Sequence, residues 1–188
     1  MKTILLPALR LLLAMTALTG AVYPLILTAA AHALFPRGAG GSLVTRQNRT
    51  TGSSLLAQRC TGATWFHPRP SAADYATVAS GASNLGPASA TLRDLIASRR
   101  TALQQEHGLS SNAPVPEELL LASGSGLDPH LSPAAARFQV NRVAAARGLA
   151  PERILALLEA AIEPPQFGFL GQARVNVLHL NLAVEALK

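Results

Sequence analysis

The fold class expected for this chain is α+β: a single N-terminal transmembrane helix followed by one extracytoplasmic α+β domain. Three observations lead there. From Leu11 to Pro36 there is no charged residue if His32 is neutral. Later in the chain, apolar residues recur at helical spacing between capping signals, as in Ser132-Pro133 to Gly148. Finally, Val175–Leu182 (VNVLHLNL) alternates in the manner of a half-buried strand. The boundaries that follow are a short cytoplasmic tail at 1–10, the span at 11–31, a juxtamembrane linker at 32–52 and a folded domain at 53–188.

Leu11 to Ala31 is long enough to cross a bilayer, since helical rise carries it about 31 Å. Pro24 would break a soluble helix but is tolerated in a membrane when neighbouring groups satisfy the freed carbonyl. A cleavable signal peptide is the competing reading. Lys2 and Arg10 form a basic start and Ala31-His32-Ala33 fits a small-x-small site, but the apolar run exceeds the roughly 7–15 residues of such segments. Ala14, Ala17, Ala21 and Thr28 lie along one helical face, where a partner helix could approach closely. Lys2 and Arg10 lie on one side and Arg37, Arg46 and Arg49 on the other, so charge alone does not set the orientation. Because long domains translocate largely regardless of charge, a short basic tail inside and a large domain outside is expected.

The linker is rich in Gly, Ser, Thr and Arg, with a short strand expected at Ser42–Thr45. Asn48-Arg49-Thr50 matches an N-glycosylation pattern too common to carry weight. Thr64-Trp65-Phe66 reads as a strand end, stopped by His67-Pro68-Arg69-Pro70. Ser80–Pro87 (SGASNLGP) is a turn-rich loop in which Gly81, Gly86 and Asn84 are expected to take positive φ. A helix follows with Leu92, Leu95, Ile96 and Leu103 on one stripe and Gly108 beyond its end. After a loop at 110–116, Glu117–Ala122 forms a short element. Ser132 caps the next helix, which buries Ala136, Val140 and Val143 and runs to Arg147. Pro151 opens another, with Ile154, Leu157, Leu158 and Ala161 inward and Pro164-Pro165 as its stop. Ala183–Lys188 is expected to close the chain as a helix.

Composition excludes several chemistries. Net charge is +6 over 188 residues, but with Lys2 and Arg10 set aside 14 basic face 10 acidic residues. Aromatic content is 4% and no basic cluster is interleaved with aromatics, so no base-stacking platform is present and nucleic acid is not expected as a partner. Cys60 is the only cysteine, which rules out an internal disulfide. The only lysines are Lys2 and Lys188, so there is neither a Walker A loop nor an S-x-x-K nucleophile. Gly124-Ser125-Gly126 lacks the first glycine of a nucleophile elbow and reads as a flexible loop. No histidine pair has metal-ligand spacing. His67 and His130 read as loop residues bonded to backbone. Asp128 with His130 is the one acid–base pair close in sequence, and no third member is evident. Arg69 and the Gln139/Arg142 pair could bind an anion or a partner carboxylate, or else lie on the surface or in a helix-face contact.

An ordered set of segments resembles the C subunit of the Kdp potassium-transporting P-type ATPase. The segments are Gly52–Gln58 (GSSLLAQ), Trp65–Ser71 (WFHPRPS) and Ser80–Pro87. They continue with Gly124–Pro133 (GSGLDPHLSP), then Gln139, Arg142, Arg147-Gly148, Gly168–Gly171 and Arg174–Leu182. The residues carrying the motifs are Gln58, Arg69, Pro70, Ser83, Asn84, Gly124, Gly126, Asp128, Pro129, His130, Ser132, Gln139, Arg142, Asn176 and Asn181. Ala57, Pro68, Ala82, Glu163-Pro164-Pro165 and Gln172-Ala173 depart from the family pattern, which bears on loop geometry. The resemblance implies an accessory, non-catalytic subunit of a high-affinity potassium uptake complex in a bacterial plasma membrane, single-pass with its N-terminus cytoplasmic and its domain periplasmic. Its implied partners are a potassium-conducting, channel-like subunit, an ATP-hydrolysing P-type subunit and membrane lipid. ATP and K+ then belong to the complex, with no cofactor bound directly. The family's C subunit is described as supporting assembly and raising the ATP affinity of the hydrolysing subunit. The residues taken alone leave open an anchored or secreted enzyme using the Asp128/His130 loop, or a periplasmic binding module.

Overall fold

The computed structural model describes residues 2–46 and 48–187 and divides into two compact units, Met1–Thr51 and Gly52–Lys188. The first is dominated by a nearly continuous helix: α1 (Lys2–Ala17), a π turn (Leu18–Val22) and α2 (Tyr23–Leu34). Its apolar part, Ile4–Leu34, is 31 residues long and entirely unburied within the protein, and it is long and apolar enough to cross a membrane. At helical rise it extends about 46 Å, more than the hydrocarbon core requires, so a tilt or an interfacial end accommodates the excess. The π turn sits where Pro24 demands it. Pro24 has no N–H, and the ladder shifts just before it, with Tyr23 N–H donating to Leu18 O five residues back.

Of the tail expected at 1–10, Lys2 onward is helical and continuous with the apolar segment. Met1 lies outside the described residues. The expected linker at 32–52 has structure of its own: the end of α2, α3 (Pro36–Ala39), β1 (Leu43–Arg46) and β2 (Arg49–Ser53). β1 pairs with β2, close to the strand expected at Ser42–Thr45.

The second unit is α+β. In order it holds α4 (Ala90–Glu106), a 3-10 turn (Glu117–Leu119), β3 (His130–Leu131), α5 (Pro133–Arg147), α6 (Pro151–Ala160), β4 (Ile162–Glu163), β5 (Arg174–Asn176) and α7 (Val177–Glu185). The small antiparallel sheet has the order β3-β5-β4, with Val175 opposite Leu131 on one side and Ile162 on the other. Phe66, Leu131, Val143, Ile154, Leu158, Val175, Leu180 and Val184 are fully buried and form the centre of the core. Ser132 caps α5 as expected, its Oγ accepting from Ala135 N–H at 3.2 Å, and Gly148 ends the helix at φ 64°.

Several elements differ from expectation. Val175–Leu182 is not one strand: it leaves the sheet after Asn176, whose Oδ1 accepts from His179 N–H at 3.2 Å and starts α7. Val177, Leu180, Asn181 and Val184 then share a buried helical face, while the alternating Leu178 and Leu182 are only half-buried. Alternation and helical spacing coincide over so short a run, and the cap decides. The helix expected over Ala183–Lys188 is the end of α7, and Lys188 lies outside the described residues. Thr64–Phe66 is no strand: the chain turns over Gly62–Trp65, where Trp65 N–H donates to Gly62 O at 3.4 Å. In the 80–87 loop only Asn84 takes positive φ (53°); Gly81 and Gly86 do not. The stripe on α4 is only half-buried: Leu92, Ile96 and Leu103 are partly covered and Leu95 is exposed, only Leu103 packs against the core cluster, and the helix's one buried residue is Gln104. α6 stops at Ala160, before Pro164-Pro165, because β4 pairs with β5 from Ile162. The loop at 124–126 is held at its ends, Ser123 N–H donating to Pro70 O at 3.1 Å and Gly126 N–H to Ser123 O at 3.2 Å, while Gly124 and Ser125 are exposed.

Gly126 combines φ 69° with a close approach, since a Cβ there would lie 2.9 Å from Gly81 O, whereas Gly148 has φ 64° and open space around it. Substitution Gly148→Ala is therefore expected to cost about 1 kcal/mol, the left-handed penalty alone. Gly126→Ala should cost clearly more. Urea titration of the two variants checks the order; equal losses would contradict it.

Candidate functional site

The motif residues converge on the segment Gly62–His67, which has no strand neighbour to pair its peptide groups. Side chains from α5 and α7 take that place. Asn181 on α7 accepts from Phe66 N–H (2.8 Å) and donates to Phe66 O (2.9 Å). Gln139 on α5 does the same for His67, accepting from its N–H at 2.8 Å and donating to its O at 3.0 Å. Each carboxamide thus stands in for the peptide of an adjacent strand. Both are buried, and peptide groups in such a place are left unpaired only at a cost of about 1–3 kcal/mol each.

Arg142 completes the clamp. Its Nη1 donates to Ala63 O (2.9 Å) and Gly62 O (3.4 Å), and its Nη2 to Trp65 O (2.9 Å) and Gln139 Oε1 (2.8 Å). Nε points to His107 Nε2 at 3.3 Å. Glu106 Oε1 lies 3.3 Å from Nη1 and supplies the countercharge for a side chain that is 3% exposed. Arg147 extends the pattern, donating from Nε to Thr64 O at 2.7 Å while its guanidinium stacks 4.7 Å from the Trp65 ring. The helix-face reading of Gln139 and Arg142 is the correct one; neither is free to bind an anion.

Two histidines border this knot. Burial, with Arg142 beside it, pulls the His107 pKa down to about 4, and Phe138 stacks on the ring at 4.4 Å. Burial and then Arg142 also lower His67, whose Nε2 donates to Gly62 O at 3.0 Å. An open cleft of about 310 Å³ lies alongside, lined by Arg59, Cys60, His67, Tyr75, Arg99 and Glu106 among others. It holds no poised nucleophile. Burial pushes both the Cys60 thiol and the Tyr75 phenol up, Arg59 is paired with Asp74, and Arg99 donates to Leu120 O at 2.7 Å.

The remaining motif residues hold loops. Asp128 Oδ2 meets Arg69 Nη1 at 3.3 Å, and Asp128 Oδ1 accepts from His130 N–H at 3.0 Å. The His130 ring is 3.8 Å from that oxygen, beyond hydrogen-bonding distance, and Asp128 is spent on Arg69 and the His130 backbone. Pro70 O accepts from Ser123 N–H and Pro129 O from Val177 N–H at 2.9 Å. Asn176 Nδ2 donates to Ser54 O at 2.8 Å. Gln58 lies over Gly52, where any Cβ would collide with its amide. Ser132 donates from Oγ to Glu118 Oε2 at 2.6 Å while it caps α5. Gly124 is exposed at the tip of its loop. Ser83 and Asn84 are exposed and are not drawn into the cluster. Among the described residues no group of three His, Cys, Asp or Glu could hold a metal ion. Glu106, His107 and Glu118 escape sequence reasoning because their partners lie 14 to 36 positions away in the chain, with no local spacing to mark them.

The family profile described as "KdpC: K+-transporting ATPase, c chain" matches residues 5–186. The chain belongs to the KdpC family. It is similar to the potassium-transporting ATPase KdpC subunit of Cereibacter sphaeroides, 49% identical over 186 residues covering 99% of this chain and 98% of that protein. It is likewise similar to that of Rhodospirillum rubrum, 51% identical over 181 residues covering 95% and 93%. The subunit of Nitratidesulfovibrio vulgaris is 48% identical over 190 residues covering 100% and 96%. In this KdpC-family chain the motifs therefore mark a clamp that shapes the fold, with no assembled catalytic constellation among them.

Arg142→Lys is expected to destabilise the folded unit by about 3–5 kcal/mol, because one ammonium cannot replace a planar fork serving several carbonyls. Chemical denaturation measures it, and a loss under about 1 kcal/mol would contradict the clamp. A pH dependence follows from His107. Its folded pKa lies below its unfolded value, so its contribution is complete above about pH 6.5 and is lost as pH falls toward 4. On a half-exposed ring this amounts to the order of 1–2 kcal/mol after screening. Protonation sets an N–H against Arg142 Nε–H. Denaturation midpoints between pH 7 and 4 should fall in the parent and fall less in His107→Asn.

Proposed function

We propose that this chain is the accessory, non-catalytic subunit of an ATP-driven potassium uptake complex. It is held in a bacterial plasma membrane by the helix Ile4–Leu34, with its N-terminus cytoplasmic and its α+β unit on the outer side. The observation that carries this reading is the family match over residues 5–186. The commitment of Gln139, Arg142, Asn176 and Asn181 to internal bonds supports a scaffolding role, as does the absence of any lysine between Lys2 and Lys188. Lys2 and Arg10 before the span are opposed by Arg37, Arg46 and Arg49 after it, and the outer placement of the α+β unit is supported by the rule that a long folded unit translocates largely regardless of its own charge.

In this reading the partners are a potassium-conducting, channel-like subunit and an ATP-hydrolysing P-type subunit, with lipid around the span. Ala14, Ala17, Ala21 and Thr28 form the face on which a partner helix packs. K+ and ATP are handled by those partners. An effect of this chain on ATP affinity is indirect: a unit on the outer side cannot reach cytoplasmic nucleotide, so coupling runs through the conformation of the assembled subunits.

Affinity purification of the tagged full-length chain from membranes is expected to recover both partner subunits. Replacing Ala14, Ala17 and Ala21 with Leu should lower their recovery severalfold and slow growth at limiting potassium. Failure of the unmodified chain to recover either partner would refute the reading. Recovery undiminished by the three leucines would refute the packing face alone.

A further inference from the structure

Between β4 and β5 the chain forms a tight hairpin whose tip is built to stay rigid while exposing apolar side chains. Gln166 and Leu170 pair with each other in both directions at 2.9 Å, and Gly168 N–H donates to Pro165 O at 3.1 Å. Phe167 and Gly168 between them take φ 54° and 81°. A phenylalanine in the left-handed region is unfavourable and persists only where its surroundings over-determine it. At this tip Phe167 is 86% exposed, Phe169 76% and Leu170 50%. At the base, Arg174 Nε pairs with Glu163 Oε2 at 3.0 Å, and residues 164–173 (PPQFGFLGQA) carry no charge. The knob is therefore apolar, neutral and preorganised.

We infer that this hairpin tip is an anchor that inserts Phe167 and Phe169 into an uncharged apolar pocket on another subunit of the ATPase. The inference rests on the proposed membership of that complex and adds the point of contact. Its size favours this occupant over a second copy of the chain. The three side chains offer roughly 400 Å² of apolar surface, below the about 800 Å² per partner of a free-standing dimer. A small knob suffices when the chain is already tethered to the same assembly, because the second contact then forms at high effective concentration. Its chemistry disfavours a lipid surface: residues 164–173 contain no Lys, Arg, Trp or Tyr, the side chains that engage headgroups and the interface. Rigid aromatic anchors filling a partner's pocket are the usual centre of a protein interface.

Cysteine accessibility tests it. Full-length Cys60→Ser, Phe169→Cys is compared with the same chain carrying Phe167→Cys, using a maleimide reagent on the lone chain in detergent, on the lone chain in phosphatidylethanolamine/phosphatidylglycerol vesicles, and on the purified complex. Labelling at both positions is expected to be at least tenfold slower in the complex than in either lone form. Loss of partner recovery by the tip variants, with the Cys60→Ser parent still recovering the partners, also supports the anchor. Equal labelling in all three states overturns it. Protection of the lone chain in vesicles assigns the tip to lipid and overturns it too, as does protection in detergent that rises with chain concentration. If the Cys60→Ser parent recovers no partner, complex membership itself fails, and the anchor with it.

Discussion

The fold of the second unit depends on pairing the peptide groups of Gly62–His67, a segment with no neighbouring strand. Where the segment runs inward at buried Phe66, its backbone groups must find partners. Here a guanidinium and two carboxamides do it. Arg142 serves three carbonyls, Gln139 and Asn181 one residue each in both directions, and Arg147 one more carbonyl. The arrangement is cooperative by construction. Gln139 Oε1 receives both His67 N–H and Arg142 Nη2, so misplacing one member weakens the others.

That constraint also explains why helices α5 and α7 bury polar residues on faces that are otherwise apolar. Gln139 and Arg142 sit among Ala135, Ala136, Val140, Val143 and Ala144, and Asn181 among Val177, Leu180 and Val184. With the segment fixed, Phe66 fills the core completely. The His107 and Glu106 end of α4 is drawn to the same guanidinium, which fastens that helix by its C-terminal end while most of its length stays solvated. The charge of Arg142 is balanced by one carboxylate and many dipoles, which is the condition under which a buried arginine is tolerable.

The residues that carry the family resemblance are thus largely engaged in holding loops against helices. Chemistry is left with little: the Asp128/His130 loop is closed by Arg69 and its own backbone, and Cys60 and Tyr75 are pushed away from reactivity. What remains turned outward is the kind of surface an assembly uses. It comprises the solvated side of α4, the 80–87 loop with Ser83 and Asn84, and the aromatic hairpin tip. The N-terminal rod passes Pro24 by way of a π turn, a device that keeps an apolar helix continuous past a missing donor.

The amino-acid order by itself determined the apolar rod, the caps and bounds of α5 at Ser132 and Gly148, the start of α6 at Pro151 and the core positions Val140, Val143, Ile154 and Leu158. Each depends on neighbours within four residues or on an unbroken run of one polarity. It also carried the family, through motifs in a fixed order. The tertiary structure alone decided that the C-terminal end of α4 is fastened to Arg142, and that Gln139, Arg142 and Asn181 meet at one segment. These outcomes rest on pairings between groups 35 to 115 residues apart, such as Arg142 with His107 or Asn181 with Phe66, and only the folded chain brings such partners within hydrogen-bonding distance.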